Sequence, residues 1–498
     1  MVEGKKNNTV MVVSLVLTLV IVAWAIMFKQ NFANFADALM AFISTNFSWA
    51  YLLSMFIFVC FALYLAFSKY GNIKLGKDDS VPEFSNTSWF GMLFGAGMGI
   101  GLVFWGVAEP ISHYLSPDAS LGIVGQTPQA ANFAMRASFK HWGFHPWANY
   151  AIIGMALAYF QFRKDMPAMM SSIFTPILGE KGVKGPIGKM IDVFAVFATV
   201  AGVATSLGMG TIQINSGLNY LFGIPNNQFT NIIIIAVVTV IFIWTAVSGI
   251  DKGIKALGDI NLVLAGSLLA LTFIVGPTLK SVQAFTSGMG DYLNTFVFDS
   301  LHLEAFGDNS WVNGWTVFYW AWWIAWAPFV GSFIARISKG RTIREFTLGV
   351  IVAPAMASFV WFAVFGSLSL NLAEIVDVSV LEGIKAAPEV GLFATFQNYP
   401  IGNILSFVAI VLLCTFFITS ANSATFVLGM FTSEGDLNPS NPKKILWGLV
   451  QSALATGLLL SGGLGALQTI SVAAAFPFII IMLAACVSLY KVLSTEEV

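Results

Sequence analysis

WFGMLFGAGMGIGLVFWGVAEP, residues 89–110, is uncharged until Glu109 and long enough to cross a bilayer, since a spanning helix needs about 20 consecutive apolar residues. Its centre, GAGMGIG at 95–101, has glycine at every second position. Each glycine inside a helix costs about 1 kcal/mol relative to alanine, so this spacing predicts a locally unwound or closely approached backbone. Two readings stay open. Gly95/Gly99 and Gly97/Gly101 are small-xxx-small pairs suited to close helix packing. Alternatively, the helix breaks here and bares backbone N–H groups. Irregular backbone at membrane depth persists only where it is buried in protein or lines a cavity, and secondary transporters place substrate and ions at such breaks. A dinucleotide fingerprint is excluded, because Ile100 stands at the third glycine position and no strand precedes the stretch.

The rest of the chain has the same character. Of 498 residues, 57% are hydrophobic and 10% charged, against roughly 25% charged in soluble domains. Twelve runs of spanning length lie near 10–28, 49–68, 89–111, 139–161, 190–220, 229–249, 256–279, 313–335, 345–370, 398–431, 445–462 and 468–490. The first follows Lys5 and Lys6, but it ends in AWAIMFKQ without a small-residue cleavage site and reads as a span rather than a signal peptide. With the N-terminus inside, outside segments hold only Lys29, Arg136, Lys140, Lys280 and Lys385 of the 24 Lys and Arg. The positive-inside rule therefore puts both termini in the cytoplasm of a multi-pass cell-membrane protein. Residues 281–312 carry Asp291, Asp299, Glu304 and Asp308 without Lys or Arg, which fits an outside position. Net charge is −1 and no basic stripe interleaves with aromatics, so nucleic acid is not an expected partner. Cys60, Cys414 and Cys486 lie in apolar runs without CxxC spacing and read as core hydrophobes.

Aromatics concentrate in two places: HWGFHPWANY at 141–150 and FYWAWWIAWAPFVGSF at 318–333. Trp323 and Trp326 are three apart and share a helix face, and Pro328 predicts a kink beside them. These rings are either ordinary bulky packing or a cage for a quaternary ammonium group, the ligand such cages suit. His141 and His145 are four apart, but no carboxylate or third ligand stands near them in sequence, so they read as hydrogen-bonded helix residues rather than zinc ligands. TFFITSANSAT at 415–425 crowds hydroxyls into an apolar span. They either bond the preceding-turn carbonyls or provide oxygen ligands for a hard cation such as sodium. Glu109 reads as the outer end of its helix, which leaves proton coupling through a buried acid as the second choice. The glycine-rich third span starts inside and the Trp-rich eighth starts outside, so two five-helix units would run in opposite orientation, an inverted repeat.

GAGMGIG at 95–101, HWGFHPWANY at 141–150, FYWAWWIAWAPFVG at 318–331 with ARISKGRTIREF at 335–346, and TFFITSANSA at 415–424 resemble the hallmark stretches of the betaine–choline–carnitine transporters, in order and over essentially the whole chain. The resemblance implies an all-α fold of the LeuT type with twelve transmembrane helices. Residues 1–88 would be two extra helices, 89–283 the first repeat, 284–312 an extracellular amphipathic connection, 313–492 the second repeat and 493–498 a short tail. It also implies a homotrimer in the lipid bilayer, carrying a small zwitterion. Trp142, Trp147, Tyr150 and Trp323 would form the ammonium cage. Backbone amides around Ala96, Met98 and Gly99 would meet the substrate carboxylate. Carbonyls of Gly95, Met98 and Phe416 with the hydroxyls of Thr419 and Ser420 would hold one sodium, the coupling ion, and no cofactor is expected. Trp326, Phe329 and Phe333 would line the cytoplasmic path. Family members that handle choline often have Asp where this chain has Gly101.

Two departures stand out. Thr199 matches the first hydroxyl of a second sodium site on the fifth span, but Val203 stands at the second. The chain runs eight residues past Tyr490, so the long basic C-terminal extension some members use in osmosensing is not expected to act here. The sequence thus predicts sodium-driven, alternating-access uptake of glycine betaine for osmoprotection. Proton-coupled or exchange transport of choline, carnitine or ectoine is the rival. No nucleophile–base pair, repeated filter segment or Walker A motif supports an enzyme, a channel or an ATP-driven pump.

Overall fold

The structure is a computed structural model that describes residues 8–97, 99–248 and 251–496. Its elements in chain order are α1 (Thr9–Met27), α2 (Lys29–Phe67), α3 (Asn86–Gly97), α4 (Ile100–Leu115), α5 (Pro128–Trp142), α6 (Phe144–Ala158), α7 (Thr175–Lys184), α8 (Pro186–Phe222) and α9 (Gln228–Val247). They continue with α10 (Asp251–Val275), α11 (Thr278–Leu301), α12 (Ser310–Val312), α13 (Phe318–Ile337), α14 (Ile343–Leu372), α15 (Val378–Ala386), α16 (Gly391–Phe396), α17 (Gly402–Phe431) and α18 (Asn441–Leu493). The described residues contain no strand, and the one isolated bridge joins Lys74 to Thr342. The protein is an all-α membrane protein.

Among the described residues nine helices are long and apolar enough to cross a membrane. The pairs α3/α4 and α5/α6 escape that test because each is interrupted. The 53 residues of α18 would reach about 80 Å at 1.5 Å per residue, far beyond a hydrocarbon core of about 30 Å. It turns at Gly463, whose φ of 58° and ψ of −136° interrupt the helix between the two runs expected there. With these allowances every one of the twelve apolar runs coincides with a helix or a broken pair. Burial then sorts them. In the most apolar window of α8, 78% of residues are buried, but in α1 only 28% are. An apolar helix that exposes most of its surface faces lipid, so α8 stands at the centre and α1 at the rim.

Several boundaries differ from the sequence expectation, and for one reason. α2 begins at Lys29 rather than near 49, α5 at Pro128 rather than near 139, and the outer connection expected over 284–312 is largely the helix α11, which starts at Thr278. These added turns are polar or amphipathic and give no hydropathy signal. Of these helices only α5 has a side-chain cap, where Thr127 accepts from the Ala130 N–H ahead of Pro128, whereas α2 and α11 start without one. α13 runs through Pro328 without a break in its helical assignment, and a π turn at Asn313–Val317 precedes it.

The loops on the side assigned to the cytoplasm are tied together. Thr342 and Glu345 form a capping box at the start of α14. Arg341 lies 4.0 Å over the Trp89 ring and donates to Asn86 and to the Phe84 carbonyl at the start of α3. Beyond α18, Glu496 accepts from Arg163 Nη2 and from Lys164, each at 2.7 Å, and from the Tyr159 hydroxyl.

Candidate functional site

α3 stops at Gly97 and α4 restarts at Ile100. Gly99 between them is extended, with φ −144° and ψ −171°, and supplies no side-chain cap. The first N–H groups of a helix have no intrahelical partner. Here the Leu102 N–H turns back to the Gly99 carbonyl at 3.2 Å, while Gly99, Ile100 and Gly101 line a cavity. A Cβ on Gly95 or Gly99 would meet nothing within 4 Å, so close helix contact does not explain those two glycines. Gly101 is different: its Cβ would stand 2.5 Å from Trp322 Cη2 and 2.9 Å from Trp142 Cη2. Ala96, expected in the break, lies instead in the last turn of α3. Met98 lies outside the described residues. Ile100, at the bared helix start, is a lining residue the sequence reading missed.

The same cavity is walled by Trp142, Trp147, Tyr150 and Trp323. Trp142 and Trp323 meet at 4.8 Å and 73°, and Tyr150 meets Trp323 edge-on at 6.4 Å. The α5–α6 break is what brings them together. At Gly143 a Cβ would run into the Phe139 carbonyl at 2.5 Å and the Tyr292 hydroxyl at 2.8 Å, so the sharp turn needs glycine. The His141 carbonyl, at the end of α5, accepts from the Trp323 indole N–H at 2.9 Å. The Asn149 amide donates to the Trp323 carbonyl at 2.8 Å. Trp322 stacks on Trp323 at 4.7 Å and 15°. It lines the cavity too, as do Ser206 and Ser358, none of which had been singled out for it.

A second cavity opens toward the start of α3 and the end of α13. Gly95, Trp326, Phe329, Phe333, Thr419 and Ser420 line it, and Trp326 and Ser420 border both cavities. Thr419 donates to the Thr415 and Phe416 carbonyls at 3.0 and 3.2 Å and accepts from the Asn261 amide at 3.0 Å. Asn261 Oδ1 is buried without a partner among the described residues. Gly95, Thr419 and Ser420 are therefore together, with Asn261 as an unforeseen neighbour. Thr199 is fully buried on α8, bonded to the Ala195 carbonyl at 2.8 Å.

Two sequence readings are corrected. Glu109 is not at a helix end: it is fully buried inside α4. A carboxylate does stand with His141, because Glu109 Oε1 lies 2.7 Å from His141 Nδ1 and 3.2 Å from His113 Nε2. Helix periodicity hid this contact, since Glu109 and His113 are on α4 and His141 on α5. His145 turns elsewhere, to Ser300 at 2.8 Å. The ligand-type atoms of Glu109, His113 and His141 lie within 4.8 Å of one another. Their mutual hydrogen bonds account for that convergence without an ion.

An all-α chain with many apolar spans, and with broken helices around a buried polar–aromatic cavity, has the build of a secondary transporter. The chain belongs to the betaine/carnitine/choline family of transporters, whose sequence profile matches residues 9–498. It is 50% identical to the glycine betaine transporter OpuD of Bacillus subtilis over 99% of this chain and 96% of that one. It is 47% identical to a probable glycine betaine transporter of Desulfitobacterium hafniense over 99% of both. An ectoine/hydroxyectoine transporter of Virgibacillus pantothenticus is 42% identical over 99% of this chain and 97% of its own.

Proposed function

We propose that this chain takes up glycine betaine by sodium symport with alternating access. One observation carries the substrate: a bared helix start and an aromatic cage share one cavity. Trp142, Trp147, Tyr150 and Trp323 suit a trimethylammonium, each desolvated face contributing about 2 kcal/mol. N–H groups and the positive helix end around Gly99, Ile100 and Gly101 suit a carboxylate. Choline has the ammonium but nothing for the helix start. Ectoine, also a zwitterion, is the second reading, favoured by the relative named for it.

Sodium is supported by neutral oxygens. Thr419, Ser420 and the carbonyls of Gly95, Met98 and Phe416 are the proposed ligands, and the orphaned Asn261 Oδ1 adds an acceptor beside them. Thr199 has Val203, one turn further along α8, where a second hydroxyl would be needed, so one sodium is the reading. Alternating access is supported by two adjoining cavities that share Trp326 and Ser420, one holding the aromatic rings and the other running past Phe329 and Phe333. In this reading both termini are cytoplasmic, residues 89–283 and 313–492 are the inverted repeats around the site, and the carrier is a trimer. Uptake of labelled betaine into proteoliposomes, with sodium and proton gradients imposed separately, tests it. Uptake driven by the proton gradient alone, or stronger competition by choline than by ectoine, refutes it.

A further inference from the structure

Glu109 does not line the cavity, yet it touches what does. Its Oε2 accepts from the Trp142 indole N–H at 2.8 Å and from the Tyr319 hydroxyl at 2.5 Å. Its Oε1 faces the two histidines. Three of the elements around the cavity, α4, α5 and α13, meet at this carboxylate. Glu109 itself follows Gly101 on α4, Trp142 ends α5, and Tyr319 lies one turn before Trp323 on α13, stacked on it at 5.9 Å and 24°. The pinning is selective. Trp142 has a fixed partner for its indole N–H, whereas Trp322, stacked against Trp323, has none among the described residues.

From this geometry we infer that Glu109 is a positioning residue for substrate recognition. It fixes the Trp142 ring against Trp323 and holds α4, α5 and α13 in register, while α6 with Trp147 and Tyr150 is placed independently of it. The inference rests on the reading of that cavity as the substrate site. The chemistry of the two oxygens differs. An indole only donates, so Trp142 requires an acceptor. A neutral imidazole can exchange donor and acceptor nitrogens, and His141 has the Thr316 hydroxyl 3.0 Å from Nε2 to complete the exchange. A glutamine at 109 can therefore keep its carbonyl on Trp142 and Tyr319 and turn its amide toward His141, leaving the weaker 3.2 Å contact with His113 unmatched because His113 Nδ1 has no partner among the described residues. An alanine keeps nothing.

The test uses the full-length protein, with betaine affinity read from tryptophan fluorescence in detergent and KM and maximal rate from proteoliposomes. Glu109→Ala is expected to weaken betaine roughly tenfold or more while the maximal rate changes little, and Glu109→Gln to recover most of that loss. Tyr319→Phe, which removes one donor, should weaken betaine several-fold. The double variant should be no weaker than Glu109→Ala alone, because the two changes act through one contact. A glutamine variant as poor as alanine, or a fall in maximal rate at unchanged KM, overturns the inference. If Glu109→Ala does not fold, Tyr319→Phe decides, and unchanged affinity there overturns it. A wild type that binds no betaine overturns the substrate reading and this inference with it. A wild type that binds betaine no better than the variants overturns this inference alone.

Discussion

Gly101→Ala adds one methyl group at the point where the cage is tightest. The new Cβ would lie 2.5 Å from Trp322 Cη2 and 2.9 Å from Trp142 Cη2, where ordinary contact begins at 3.4 Å. The two rings would have to retreat by about 0.9 and 0.5 Å, the differences between those distances. Neither has room to do so freely. Trp322 is stacked on Trp323 at 4.7 Å and on Phe318 at 5.7 Å, and Trp142 is held by Glu109. Overpacking of this kind costs about 1–3 kcal/mol. If the strain falls on the substrate-bound state, betaine affinity drops roughly five- to 150-fold. If it falls on the protein itself, thermal stability drops instead. Fluorescence titration with betaine and a melting curve of the same detergent sample read both. Unchanged affinity together with unchanged melting temperature would refute the packing assigned to Gly101. Gly101→Asp carries the same Cβ. It can give choline a carboxylate partner only after Trp142 and Trp322 have moved, so its betaine loss should be at least that of Gly101→Ala.

Trp323→Leu should weaken betaine by roughly tenfold or more, since one desolvated ring face is worth about 2 kcal/mol; equal affinity in a fluorescence-independent binding assay would count against the cage. Thr419→Ala and Ser420→Ala should each raise the sodium concentration for half-maximal uptake and, by linkage, weaken betaine; sodium dependence identical to wild type would remove these hydroxyls from the ion site. At the clamp beyond α18, hydrogen bonding from Arg163, then from Lys164 and Tyr159, lowers the Glu496 carboxyl to about 2. Because an unfolded glutamate titrates near 4.3, this contact stabilises the fold above that pH and its contribution fades as pH falls from about 5 toward 2. Glu496→Gln should therefore melt lower than wild type at pH 7, with the gap narrowing on acidification, and a gap independent of pH would refute the assignment.

How much of this was legible in the sequence depended on how far apart the partners lie. The spans and the break at GAGMGIG write their signal in adjacent residues, apolar length and repeated glycine, whereas the turn at Gly143 inside the 139–161 run went unread. The cage needed more, because Trp142 and Trp323 come from different helices. Only the resemblance to known carriers joined them before the structure did. The Glu109 cluster had neither aid. His141, Trp142 and Tyr319 stand 32, 33 and 210 residues from Glu109, and a carboxylate just before Pro110 looks like a helix end. Asn261 meets Thr419 across 158 residues and carries no motif. The pattern has a physical cause. The groups proposed to face the substrate offer ring faces and bare backbone, which local composition reveals. The groups that hold them in place need only a hydrogen bond of the right length, which any element passing nearby can supply. A residue such as Glu109, buried, charged and next to the site without entering it, becomes visible only when the helices are assembled.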